Sequence, residues 1–129
     1  MQKSSGGERG AMPRALSEIY AKLEDQVSLL HGLYAQFRQL FGASKGRVDL
    51  LNEMASGFFW FVHRAFLREI VLSLCRLTDP ATQGKYENVS ICQLLKIAEG
   101  ECDSECMDTL SERIQGIVHQ CDRFRKWRD

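Results

Sequence analysis

Two prolines, at positions 13 and 80, are all that interrupt 129 residues, and so small a supply of helix breakers leaves long helices open to the chain. Net charge is also missing. Seventeen Lys and Arg balance seventeen Asp and Glu, so no global basic field draws DNA or an anionic membrane, and any contact with a polyanion must be local. The longest strongly apolar stretch, Gly57 to Leu77, includes His63, Arg64, Arg68, Glu69 and Arg76, too many charges for a bilayer span, and it reads as a core helix. Neither DNA nor a membrane is expected as a partner. The five cysteines are odd in number, contain no Cys-x-x-Cys and follow no apolar leader, which points to reduced thiols and a cytoplasmic location. Cys102 and Cys106 are four apart, a poor match to closed zinc sites, and His119 and Cys121 differ by about 200° around one helix. No glycine-rich phosphate loop sits between a strand and a helix. The chain is therefore expected to need no metal and no cofactor.

What is present is helix-forming: Leu, Ala, Glu, Gln, Arg and Lys dominate, and the length suits one domain. Residues 1–12 combine Gly6, Gly7 and Gly10 with Ser4 and Ser5 and are expected to be a disordered tail. From Pro13, apolar residues recur at Leu16, Tyr20, Leu23, Val27, Leu30, Tyr34, Phe37 and Phe41, a seam with alternating spacings of four and three that predicts a first helix ending near Gly42. Gly32 is a place where that helix could kink. Val48 to Thr78 predicts a second helix, buried on most sides, with a possible kink at Gly57. His63 falls in the middle of its apolar arc and reads as a structural, hydrogen-bonded core histidine. Thr78-Asp79-Pro80 stops it, and a loop to Val89 follows. Ser90 looks like the N-cap of a short lid helix carrying Ile91, Leu94, Leu95 and Ala98. A last helix from Asp103 or Ser104 places Met107, Leu110, Ile114, Ile117, Val118, Cys121 and Phe124 on one stripe.

Charge along this last helix is segregated. Six acidic and no basic residues lie from Ile97 to Glu112, and then Arg113, Arg123, Arg125, Lys126 and Arg128 follow. Both halves suit the helix dipole, but the basic end, interleaved with Phe124 and Trp127, is also the densest cationic cluster of the chain. Arg123, Arg125, Lys126 and Trp127 therefore form a candidate phosphate-binding edge, and are the candidate RNA-binding residues once the resemblance given below implies RNA as the ligand. Arg128 differs from them: the helical wheel puts it near Leu110, Ile114 and Cys121, on the inward stripe, where a guanidinium calls for a partner or a cavity.

The stretch Gly57-Phe58-Phe59-Trp60-Phe61-Val62-His63-Arg64-Ala65-Phe66-Leu67, with Arg76-Leu77-Thr78-Asp79-Pro80 and Glu87-Asn88-Val89-Ser90, resembles the AbiU-like abortive-infection branch of the HEPN superfamily. The likeness runs from about Val48 to Asp129. It implies an all-α antiparallel bundle of about four helices that often dimerises, and a metal-independent ribonuclease built on an Arg, a following polar residue and a His several positions later. Arg128 and Asp129 match the first two and become the candidate catalytic residues. The Arg would stabilise charge on the scissile phosphate, and the His would act as acid or base at the ribose hydroxyl. His31, His63 and His119 all precede Arg128, so the motif histidine is absent from these residues. The expectation is an incomplete HEPN-like domain, spanning residues 13–129 and missing its last helix, whose complete form cleaves RNA in phage defence or a toxin system and is held by an antitoxin-type protein. A second reading is a non-catalytic helical dimerisation or interaction module, drawn from the seam between Leu16 and Phe41.

Overall fold

The computed structural model of the protein describes residues 12–129. Within them the helix-favouring composition becomes an all-α bundle of α1 (Arg14–Phe37), α2 (Lys45–Thr78), α3 (Ile91–Ala98) and α4 (Ser104–Arg128). A small ribbon, β1 (Thr82–Gln83) paired antiparallel with β2 (Tyr86–Glu87), stands between α2 and α3. The tail expected over residues 1–12 lies outside the described residues, apart from the exposed Met12.

Three of the four helices begin on a residue whose side chain answers an unpaired N–H group, and α1 begins on Pro13 without such a cap. Pro13 offers its carbonyl to Ser17 at 2.9 Å. The Ser44 hydroxyl accepts from the Arg47 N–H at 3.2 Å, the Ser90 hydroxyl from Gln93 at 3.3 Å, and the Asp103 carboxylate from Cys106 at 2.8 Å. The other ends are equally local. Pro80 forces Asp79 into extended backbone (φ −63°, ψ 153°), which terminates α2. The expected loop after it contains a two-residue hairpin turn: Gly84 has φ +60° and Lys85 a negative φ, the combination of a type II′ turn. Asn88 closes the ribbon back onto the helix end, donating its side-chain N–H to the Pro80 carbonyl and its backbone N–H to that of Ala81.

Three expectations are corrected. Gly32 and Gly57 both keep helical backbone, and α2 instead breaks at Ala55, which is extended at φ −163°. The first helix does end at Gly42 as expected, widening at its exit into a π-helical turn, Arg38–Gly42, whose Gln39 carbonyl accepts from the Arg47 guanidinium. On α1 the buried side is Ile19 and Leu23, flanked by Leu16 and Leu30, whereas Tyr20, Val27 and Tyr34 of the expected seam face outward.

The core gathers where α1, α2 and α3 meet: Ile19, Leu23 and Leu77 pack with Val89, Leu94 and Ile97. So α3 does act as a lid across that end. Val71 and Cys75 of α2 and Ile114 and Cys121 of α4 are buried as well, and the two long helices pack on each other. At the far end the Phe37 and Phe41 rings flank His63 at 5.2 Å and 4.8 Å, and Phe66 lies 6.5 Å from Phe37. This bundle is thin. Although α2 packs on α1 and α4 and touches α3, among the described residues nothing covers Met54, Phe58, Trp60 and Phe61, which stay exposed, so it is not buried on most sides as its composition suggests.

Candidate functional site

The charged centre of the molecule forms where the end of α2 meets the end of α4. Asp79 is nearly buried, its side chain 12% exposed, and it receives two guanidiniums on Oδ1: Arg125 Nη1 at 2.8 Å and Arg128 Nη1 at 3.2 Å. Arg125 extends the clamp by donating from Nη2 to the Thr78 carbonyl and to its hydroxyl at 3.2 Å. Asp122 receives Arg125 Nε, and Asp129 receives Arg128 Nε, both at 3.4 Å. These hydrogen bonds, the one to Asp79 foremost in each case, raise the pKa of both guanidiniums, with burial opposing. Both stay positive at every accessible pH.

Position along the helices explains the pairing. A carboxylate at the C-terminus of α2 faces the negative end of the helix dipole, an unfavourable place worth about 0.3–1 kcal/mol on its own. The two guanidiniums offset that, and they do so from residues 125 and 128, three apart and thus on one face of α4.

Arg128 also borders an open groove of about 680 Å³ between α2 and α4. Trp60, Phe61, Arg64 and Arg68 line its α2 wall and Trp127 with Arg128 its α4 wall, over an apolar floor that includes Leu67 and Val71. Three arginines line the groove and, among the described residues, no carboxylate lines it, while Arg128 is itself paired with Asp79 and Asp129 behind the lining. The Arg64 guanidinium stacks 4.9 Å from the Trp60 ring centroid, which fixes both side chains at the mouth. Trp127 meets Phe124 edge-on at 5.8 Å, so its orientation is set while its faces stay open to solvent.

The residues expected at the basic end separate into distinct places. Trp127 and Arg128 line the groove, and Asp129 accepts from Arg128 without lining it. Arg125 turns away from it, with its guanidinium spent on Asp79 and Thr78. Arg123 lies over the Phe124 ring at 5.0 Å and Lys126 is exposed; neither borders the groove. Sequence reasoning missed Asp79, read only as a stop signal, and the facing set Trp60, Phe61, Arg64 and Arg68. The one available signal was the polar edge marked by Arg64 and Arg68 within an aromatic run. No histidine borders the groove: His63 is packed among Phe rings, and His31 and His119 are exposed on α1 and α4. Among the described residues no cluster of three or more His, Cys, Asp or Glu is spaced to hold a metal ion, and no helix is long and apolar enough to cross a membrane.

A family model described as AbiU2, of the HEPN type, matches residues 15–129. No curated protein matches the chain, and neither does any solved structure.

Proposed function

The chain belongs to the AbiU2 family of HEPN domains, and from that premise we propose that it binds RNA in the groove between α2 and α4, as the RNA-engaging part of an abortive-infection or toxin-type ribonuclease. The observation that carries this reading is Arg128, held by Asp79 and Asp129 at the edge of a groove that two further arginines line, with no carboxylate lining it among the described residues. A guanidinium oriented by two carboxylates presents its remaining N–H groups in a fixed direction, which suits a phosphate oxygen and the charge that builds on it during cleavage. Asp129 acts on Arg128 as a positioning residue.

Cleavage also requires a proton to leave the attacking ribose hydroxyl and another to reach the departing oxygen. No histidine of these 129 residues stands at the groove, so this chain alone is expected to bind RNA without cutting it. The test has two arms. In a binding titration of the chain with RNA at several salt concentrations, Arg128→Ala should lower the affinity and reduce the slope of log affinity against log salt by about 0.7. Lys22→Ala, on the exposed face of α1, should weaken binding less. Equal affinities for wild type and Arg128→Ala would remove the phosphate role. In protein expressed from its natural gene, Arg128→Ala should abolish RNA degradation while leaving the fold intact, and wild-type cleavage by that variant would overturn the catalytic role.

Self-association is the second reading, favoured by the exposed Met54, Phe58 and Phe61 on α2, an apolar patch that a lone soluble domain seldom keeps. It is compatible with RNA binding, because a dimer of HEPN type lines one cleft with both protomers. Sedimentation decides it: a chain that stays monomeric at high concentration has no such interface. An antitoxin-type partner would act by covering the same groove.

A further inference from the structure

The groove's lining says more about its ligand than that it is anionic. Both tryptophans of the chain, Trp60 and Trp127, stand in it, 53% and 71% exposed, beside Phe61 at 68%. Keeping three large aromatic rings in water costs apolar burial unless a flat partner covers them. Here the rings alternate with Arg64, Arg68 and Arg128, the combination of π-faces and cations that single-stranded nucleic acid satisfies with its bases and its phosphates.

A duplex cannot use this arrangement. Its base faces are stacked on one another, and an A-form helix offers a protein its phosphates and 2′-hydroxyls. The groove, at about 680 Å³, falls within the small-ligand range of roughly 300–1,000 Å³, which is room for a nucleotide. An acidic peptide would satisfy the arginines but leave the rings bare. We propose that the groove is a subsite for an unpaired nucleotide, whose base stacks on Trp127 against the Trp60 and Phe61 wall while Arg64, Arg68 and Arg128 hold the flanking phosphates. This rests on the RNA-binding reading and specifies the form of RNA it accepts: single strands, loops or ends.

Because Trp60 and Trp127 are the chain's two tryptophans, their emission reports on this groove alone. The experiment titrates the full chain with a single-stranded oligouridine, the same strand carrying abasic nucleotides, and an RNA duplex of equal length, following tryptophan emission and affinity together. The single strand should quench the emission and bind tightest. Removing the bases, or substituting Trp127→Ala, should weaken binding about fivefold to 100-fold, the equivalent of one stacked base, and Trp127→Phe should restore most of it. The exposure of Trp127 makes these substitutions safe for the fold, and a far-UV spectrum checks that. If the abasic strand or the duplex binds as tightly as the intact strand while Arg128→Ala weakens all three, the RNA reading stands and the base subsite falls. If no RNA of any form binds, both fall. Emission that changes with protein concentration in the absence of RNA, and that RNA leaves unchanged, would give the groove to a second copy of the chain and overturn the proposal.

Discussion

Replacing Asp79 by Ala removes the carboxylate that two guanidiniums share and leaves Arg125 facing only the Thr78 oxygens and Asp122. The cost lies between two limits. A solvent-exposed ion pair contributes about 0–1 kcal/mol, and breaking a fully buried one costs about 3–5 kcal/mol. Asp79 is nearly buried, but the Arg125 and Arg128 side chains are 24% and 31% exposed, so water screens the orphaned charges and the loss falls near 2 kcal/mol. Removing a negative charge from the C-terminus of α2 returns roughly 0.5 kcal/mol. The net expectation is about 1.5–2 kcal/mol, a fall in Tm of roughly 6–8 °C for a domain of this size. Urea denaturation of wild type, Asp79→Ala, Arg125→Ala and the double variant measures it, and the double-variant cycle should show a coupling of about 1–2 kcal/mol. A loss within about 0.3 kcal/mol of zero, or single effects that simply add, would refute the claim that this clamp joins α2 to α4.

Other consequences follow from particular side chains. Ser90 is fully buried and caps α3, so Ser90→Ala should cost about 1–2 kcal/mol in urea denaturation, and an unchanged midpoint would contradict the lid role of α3. Burial first, then the neighbouring Cys75, pushes the Cys121 thiol up from its ordinary value. Its neutral form is therefore favoured in the folded state, and the stability it supports is present below the unfolded thiol's pKa and lost as pH rises through the folded one. The urea midpoint should fall between pH 8 and strongly alkaline pH, and Cys121→Ala should flatten that fall. His63→Ala removes the ring between Phe37 and Phe41 and should cost about 1–2 kcal/mol of stability with unchanged RNA affinity; weaker RNA binding at equal stability would give His63 a functional part.

Much of the fold was legible because its punctuation is local. Pro13, Ser90, Asp103 and the Thr78-Asp79-Pro80 stop act through their own few neighbours in sequence, and the helix ends they mark are those of α1, α3, α4 and α2. The face of α1 was harder for a geometric reason. Leu16, Leu23, Leu30 and Phe37 belong equally to a stripe completed by Tyr20, Val27 and Tyr34 and to one completed by Ile19, Gln26 and Leu33. The first looks more apolar, since Gln26 interrupts the second, yet the bundle buries Ile19. Which stripe wins depends on where Leu77 and α3 arrive, and that information is tertiary.

The candidate site divides in the same way. The inward turn of Arg128 follows from helical periodicity on α4 alone, and the family pattern in Trp127-Arg128-Asp129 is contiguous. The partner of Arg128 lies 49 positions away. The wall that faces Trp127 comes from a stretch whose composition suggests core. Phe58, Trp60 and Phe61 are apolar enough to be buried, but among the described residues the thin bundle brings nothing over that face of α2. A side chain's character shows what it would prefer, and the packing of α4 against α2 determines what it meets.

The most direct test of the central claim, that the groove between α2 and α4 is the RNA surface, is to locate the contact itself. A single-stranded RNA carrying 4-thiouridine, photocrosslinked to the chain and digested for peptide mapping, should mark Trp60, Phe61 and Trp127. Adducts on the Tyr20 and Tyr34 face of α1, or crosslinks that persist undiminished in Arg64→Glu/Arg68→Glu, would contradict it.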